Sequence, residues 1–283
     1  MSGRSATHLL ISCADRPGIV AAVSRFLYEQ GANIVEADQY ATEAEGGTFY
    51  MRMAFQLEGT SADDFEHLFA TEVAEPLEME WRLSYPDEPR RVAVLVSRED
   101  HCLLDLLWRA RRGDFEGEIV HVISNHPDHE PDVATFDVPF THVPVKDDQR
   151  SAEGEMLDLL AGKVELVVLA RYMRILSGEF LEGAGVPFIN IHHSFLPAFP
   201  GAEPYARAAQ RGVKIIGATA HYVTEALDEG PIIEQDVTRV SHRHSTGELA
   251  AIGRDIERIV LARAVRWHLQ DRVIVHENRT VVF

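Results

Sequence analysis

The run that ends in Asn190-Ile191-His192 constrains this chain more than any other stretch. Pro187-Phe188-Ile189 is apolar and short, and reads as a buried strand. Side chains two apart on a strand share a face, so Asn190 and His192 are expected to point to one site while Ile191 and His193 point away. Pro197, Pro200, Gly201 and Pro204 follow closely and force an ordered loop. A second apolar run, 213–223, leads to Leu227-Asp228-Glu229-Gly230-Pro231, a turn that presents an acid. An amide, an imidazole and a carboxylate can therefore converge. Such a set suits attack on a carbonyl: the amide donates to a developing oxyanion, the imidazole donates or relays a proton, and the carboxylate polarises a nucleophile. Taken singly, Asn190 and Asp228 also read as turn formers and His192 as a core histidine. Their combination favours a site.

The pattern around this segment is α/β. From Arg91 onward strands alternate with helices: strands over 92–97, 119–124, 141–143, 164–170 and 188–191, and helices over 101–112 and 151–161. This is the signature of a Rossmann-like, mainly parallel sheet, whose ligands bind at the carboxyl ends of the strands. A long helix over 246–270 shows Leu249, Ile252, Ile256, Ile259, Val260 and Ala264 on one face, and 273–276 with 280–283 forms a closing hairpin. Ahead of this, 7–83 reads βαββαβ: strands at 7–13, 34–41, 48–57 and 77–83, helices at 19–30 and 63–74. That order is ferredoxin-like. The two prolines and two acids of 85–90 make a stiff linker. The expected division is 1–84, a linker 85–90, and 91–283.

Two further motifs accompany the first: Gly217-Ala-Thr-Ala-His-Tyr-Val-Thr224 and Leu227-Asp-Glu-Gly-Pro-Ile-Ile-Glu-Gln235. With Asn190-Ile-His-His-Ser-Phe-Leu-Pro-Ala-Phe-Pro-Gly-Ala202 they resemble the folate-dependent formyltransferase family, and within it the branch that hydrolyses 10-formyltetrahydrofolate. The resemblance runs over nearly the whole chain. It implies Asn190, His192 and Asp228 as the catalytic trio, with His221 supporting the aspartate. It also implies a pterin pocket lined by Met173, Arg174, Ile175 and Leu176, with Gly201 in the loop beyond. In the first strand-to-helix turn, Ser97-Arg98-Glu99-Asp100-His101-Cys102, relatives that formylate glycinamide ribonucleotide carry a glycine-rich phosphate cradle. This chain has two acids and no glycine there, so a phosphate would be poorly received. Glu203 is acidic where the family pattern is often basic, which would weaken or shift contact with the folate tail.

The turn Asp15-Arg16-Pro17-Gly18-Ile-Val and the following Gly31-Ala-Asn-Ile resemble an ACT domain. That resemblance implies an amino-acid effector, glycine or methionine, bordered by Asp15, Arg16, Pro17 and Gly18, or a purely oligomerising module; a homo-oligomer is expected either way. The function implied is hydrolysis of 10-formyltetrahydrofolate by water to tetrahydrofolate and formate, supplying formate to one-carbon and purine metabolism. No cofactor beyond the folate substrate is needed. The alternatives are formyl transfer to an unidentified amine, or a catalytically silent folate or amino-acid sensor.

Composition agrees with these expectations. Hydrophobic residues make up 46% and charged residues 25% of the 283, an ordinary globular balance. The net charge of -18 disfavours a nucleic-acid partner. Two cysteines, Cys13 and Cys102, cannot make a disulfide framework, and no Cys/His cluster has zinc spacing. No apolar run reaches membrane length and the first ten residues lack a leader's apolar core, so a cytoplasmic protein without membrane contact is expected.

Overall fold

The computed structural model describes residues 6–43, 46–57, 61–85, 89–145, 148–198 and 204–283. The chain divides into two units. One comprises Met1–Pro89 with Asp271–His276 and Val281–Phe283; the other comprises Arg90–Gln270 with Glu277–Thr280.

The first unit contains β1 (Thr7–Ala14), α1 (Ile19–Glu29), β2 (Asn33–Ala41), β3 (Thr48–Gln56), α2 (Ala62–Phe69), α3 (Glu75–Leu77) and β4 (Glu80–Ser84). Its four strands form an antiparallel sheet in the order β2-β3-β1-β4. Alternate residues of β1 and β3 (Leu9, Ile11, Met51, Met53, Phe55) meet Val23, Phe26, Leu27, Phe65 and Phe69 of the helices in one core. Ser61 caps α2, its hydroxyl accepting from the Asp64 N–H. The last strand starts at Glu80, three residues later than the sequence pattern predicts. A π-helical turn, Ala70–Ala74, carries Val73 and Ala74 into the core, and the helical path ends only where Glu78 turns left-handed at φ 51°.

The second unit contains β5 (Arg90–Val96), α4 (His101–Arg112), β6 (Gly117–Ser124), α5 (Glu130–Ala134), β7 (Phe140–His142), α6 (Gln149–Leu160), β8 (Leu166–Ala170), α7 (Gly178–Ala184), β9 (Phe188–His192), α8 (Pro204–Arg211), β10 (Ile215–Tyr222), β11 (Ile232–Arg239) and α9 (Thr246–Leu269). The sheet runs β11-β10-β9-β8-β5-β6-β7. Five strands are parallel, while β10 is antiparallel to both β9 and β11. The strand order reverses between β5 and β8, which opens a crevice at their carboxyl ends. The sequence pattern gives the five parallel strands. It misses β11 and the short helices α5, α7 and α8, whose mixed composition lacks a clean period.

The tail departs from the expected division, which placed 91–283 in one domain. β12 (Val273–His276) and β13 (Arg279–Val282) pair with each other, and Asp271–His276 and Val281–Phe283 belong to the amino-terminal unit. The reason is a buried acid. Asp271, 1% exposed, takes Arg82 at 2.7 Å and His8 at 3.2 Å on its carboxylate, while its backbone carbonyl accepts from Arg52 at 3.1 Å. A carboxylate buried so fully is tolerable only beside such partners. The expected linker falls largely on 86–88, outside the described residues. No helix among the described residues is long and apolar enough to cross a membrane.

Candidate active site

Strand register assembles the site. β9 pairs Asn190 with Leu169 of β8 on one side and with His221 of β10 on the other. Antiparallel pairing thus sets an imidazole directly opposite the amide. His221 Nδ1 lies 2.8 Å from the Tyr222 carbonyl, which can only accept, so Nδ1 carries the proton. Nε2 is then an acceptor, and the Asn190 amide donates to it at 3.2 Å. Burial pushes the His221 pKa down, which keeps it neutral and able to accept.

Asp228 arrives from the turn after β10. Its φ of 58° is left-handed, a conformation that aspartate tolerates better than most residues. Gly230 makes the turn possible, because a Cβ there would fall 1.8 Å from the Tyr222 carbonyl oxygen. The same close approach seats the Tyr222 N–H on the Pro231 carbonyl at 2.9 Å. Asp228 Oδ1 accepts from His192 Nδ1 at 3.2 Å and stands 3.9 Å from His221 Nε2. The His192 hydrogen bond holds the carboxyl below its usual range against the opposing effect of burial. His192 itself is buried, and among the described residues its Nε2 has no hydrogen-bond partner. With Nδ1 committed to Asp228, that Nε2 is the group left for chemistry.

These residues line a cavity of ≈ 220 Å³. Met173, Arg174, Ile175 and Leu176 form one wall and Val223 to Asp228 another. Met173 and Ile175 are more than half exposed, an apolar rim open to a ligand. The 173–176 loop is braced from three elements. Ser97 Oγ accepts from the Met173 N–H at 2.9 Å and donates to Asn125 at 2.8 Å. Gln149 donates to the Ile175 carbonyl at 2.9 Å, and Glu153 accepts from both the N–H and the hydroxyl of Ser177. Arg174 is exposed, with Nη2 3.5 Å from the Val145 carbonyl. Gly201 and Glu203 lie outside the described residues.

On the far side of β9, Thr219 fixes the departing loop. Its hydroxyl donates to the Ser194 carbonyl at 2.9 Å and accepts from the Leu196 N–H at 3.0 Å and the Gln235 amide at 2.9 Å. His193 does not point away from the site as strand alternation predicts, because the strand ends at His192 and the chain turns. It is buried at the junction of the 220 Å³ cavity with a smaller apolar one of ≈ 130 Å³. Burial, reinforced by the Arg171 charge, brings its pKa down to about 3.

A second polar cluster borders the same cavity, and sequence reasoning missed it. Glu257 of α9 is 1% exposed. It accepts from His101 Nε2 at 2.9 Å and from the Tyr205 hydroxyl at 2.6 Å, and the Arg171 guanidinium stands 3.5 Å away. Burial alone would raise the Glu257 carboxyl; the His101 bond, the Arg171 charge and the Tyr205 bond outweigh it and hold the pKa at about 2. His101, Cys102 and Glu257 offer donor atoms within 4.8 Å of one another. The carboxylate is already shared among three protein donors, one of them a cation, and burial keeps the Cys102 thiol protonated. That is the chemistry of an ion-pair network rather than of a metal centre. The detectable signal was an acid inside the apolar stripe of α9, which demands partners.

The amino-terminal turn is simpler. Asp15 to Gly18 precede α1 in an exposed bend, with the Asp15 N–H on the Gly47 carbonyl at 2.8 Å and Gly18 at φ 98°.

The amide, imidazole and carboxylate converge in a crevice at the carboxyl ends of a mainly parallel sheet, an arrangement suited to an enzyme that attacks a carbonyl. The family profile described as formyl transferase matches residues 90–265, and the ACT domain profile matches 7–60. The formyltetrahydrofolate deformylase of Mycobacterium tuberculosis is 59% identical over 97% of this chain and 90% of that protein. The crystal structure of the Pseudomonas syringae formyltetrahydrofolate deformylase has a TM-score of 0.95 at 47% identity, covering 100% of this chain and 96% of that one. A glycinamide ribonucleotide transformylase from Symbiobacterium toebii is more distant, with a TM-score of 0.64 at 30% identity over 69% of this chain and 94% of that one. The chain belongs to the formyltetrahydrofolate deformylase family.

Proposed function

We propose that the protein hydrolyses 10-formyltetrahydrofolate to tetrahydrofolate and formate. The observation that carries this reading is the convergence of Asn190, His192 and Asp228 in one cavity behind the braced 173–176 loop, in a chain of this family. Water attacks the formyl carbon. Asp228, ionised throughout the neutral range, orients that water and accepts hydrogen-bond density from it. The second N–H of Asn190, whose first is spent on His221, and the free Nε2 of His192 face the carbonyl oxygen and the departing N10. His192 takes on Nε2 the proton that the attacking water gives up and passes it to N10 as the carbon–nitrogen bond breaks. His221 acts by aligning Asn190, since its Nε2 accepts from the amide and lies farther from Asp228. The pterin sits against residues 173–176. The folate is itself the substrate, and the reaction as written uses protein side chains and water alone.

The test is formate release from 10-formyltetrahydrofolate by the purified protein without any amine present. Catalytic release is expected. Folate binding without formate would overturn the hydrolytic reading.

Two finer points belong to the same proposal. The exposed turn Asp15, Arg16, Pro17 and Gly18, with the free amides at the start of α1, borders an effector site for a small amino acid, glycine or methionine. Calorimetric and activity titration with both amino acids tests this, and no heat with no rate change would leave only oligomerisation. The edge strand β2 exposes Ile34, Val35 and Tyr40, which suits pairing with a second copy. Sedimentation equilibrium should give more than a monomer, in a protein of the cytoplasm.

A further inference from the structure

The catalytic trio does not by itself choose its nucleophile, since water or an amine could attack the same formyl carbon. We propose that the Arg171–Glu257–His101–Tyr205 network is the specificity-determining element that closes the nucleophile's side of the site to amines and leaves it to water. The inference rests on the hydrolytic reading above and names what makes it hydrolytic.

The network is built for position. Its four members come from four places: the start of α4, the residue after β8, α8 and α9. Arg171 lines the same cavity as Asn190, His192 and Asp228, and so does His193, whose lowered pKa owes part of its shift to the Arg171 charge. Arg171 stands at φ 62°, a left-handed backbone that a long side chain seldom adopts. Its side chain is 12% exposed, and the guanidinium is held 3.5 Å from a carboxylate that is itself locked by His101 and Tyr205. Tyr205 sits so tightly that a Cβ on Gly253, one turn before Glu257, would lie 1.9 Å from its hydroxyl. Strain and close packing of this kind mark a side chain that the fold holds in place rather than one that rests there.

Two consequences follow for an incoming nucleophile. The fixed guanidinium occupies volume beside the trio that an amine with substituents would need. Its charge also opposes an amine, which reaches the site as an ammonium ion. Nε of Arg171 stands 3.5 Å from Glu257 Oε2, and among the described residues Nη1 has no hydrogen-bond partner. A cationic group that only donates suits an oxygen nucleophile, which can accept, and repels a cationic nitrogen, which cannot. In the transfer that the network prevents, the amine nitrogen bonds to the formyl carbon, the carbon–N10 bond breaks, and the proton lost by the amine ends on N10. The overall step balances without any other reactant, so only access separates it from hydrolysis.

The experiment is a partition measurement on the full chain. 10-Formyltetrahydrofolate is turned over with increasing hydroxylamine or glycinamide, and formate and the N-formyl product are both quantified. The ratio of the two products is independent of how much enzyme is folded, so a merely structural effect would not move it. The wild type should yield formate almost alone with both amines. Arg171→Gly, which suits the left-handed backbone, should raise the N-formyl fraction about tenfold or more. Tyr205→Phe, which keeps the ring and frees one side of Glu257, should raise it about two- to threefold. Arg171→Lys should raise it for neutral hydroxylamine more than for cationic glycinamide. An unchanged ratio in every variant that still releases formate overturns the proposal and leaves the hydrolytic reading intact. Absence of formate from the wild type without amine would instead overturn that reading.

Discussion

Asp228 and Glu257 are two carboxylates of the same unit, each bonded to a histidine and each held below its usual range. They differ in what else reaches them. Asp228 is 13% exposed at its side chain, takes one hydrogen bond from His192, and borders the open cavity. Glu257 is 1% exposed and is saturated by His101, Tyr205 and Arg171. A carboxylate with spare lone pairs beside a cavity can bind and polarise a water. One whose oxygens are filled can only hold its partners. The same depressed pKa thus accompanies two roles, and geometry separates them.

The largest effect should come from breaking the open member. Asp228→Asn keeps the size and removes the charge that orients the attacking water. Turnover should fall about 10³-fold, about 4 kcal/mol in the barrier. Folate binding by fluorescence titration should stay within about threefold, because the pterin wall is untouched. Thermal stability should hardly move. Retention of most turnover would remove Asp228 from the mechanism.

Glu257→Gln should show the opposite balance. It leaves the Arg171 guanidinium buried with its charge unpaired, a loss of about 3 kcal/mol in unfolding free energy. Chemical denaturation would read this as a lowered midpoint at constant slope. Equal stability of Glu257→Gln and Asp228→Asn would dissolve the contrast between the two carboxylates.

Acid should stress the boundary between the clusters. His193 is neutral when folded, with a pKa brought to about 3, against an ordinary value of about 6.5 in the unfolded chain. Between those values the unfolded state binds more protons, so stability rises with pH there and is lost as pH falls below about 6.5. The loss from this one group reaches about 3 kcal/mol at pH 4. His221, also lowered by burial, adds in the same direction. The depressed carboxylates Asp228 and Glu257 act in the same direction, their contribution being lost as pH falls through their unfolded values. His193→Asn should flatten the acid limb of the stability curve, and an unchanged limb would assign the loss elsewhere.

The contrast also explains what was legible in the sequence. Asn190 and His192 could be placed because strand alternation is local and the loop prolines bound it. Leu227-Asp228-Glu229-Gly230-Pro231 could be read as a turn that presents an acid, and the family resemblance picked Asp228 over Glu229. His221 was visible as a strand residue, but its partner was not: the register that sets it opposite Asn190 is a pairing across 31 residues. Arg171, His101, Tyr205 and Glu257 are spread over 156 positions and converge only through the sheet order. The terminal strands were legible as a hairpin, but their membership of the amino-terminal unit depends on Asp271 meeting His8, Arg52 and Arg82, which no local period encodes. The ferredoxin-like order and the parallel strands needed only alternation and apolar runs. Partners distant in sequence needed the fold.

The smallest effect sharpens the closed member most finely. Gly253 lies inside α9, where alanine would ordinarily gain about 1 kcal/mol of helix stability. Here its Cβ would strike the Tyr205 hydroxyl, so the ring must swing off Glu257. The lost bond is to a charged acceptor and is worth about 1.5–3 kcal/mol. The second effect wins, and Gly253→Ala should destabilise by about 1 kcal/mol net. Gly154 in α6 meets nothing within 4 Å of its Cβ position, so Gly154→Ala should stabilise by up to about 1 kcal/mol. Denaturation midpoints of the two variants should therefore move in opposite directions. If both rise, the Tyr205–Glu257 bond contributes less than one helix propensity, and Glu257 is held by His101 and Arg171 alone.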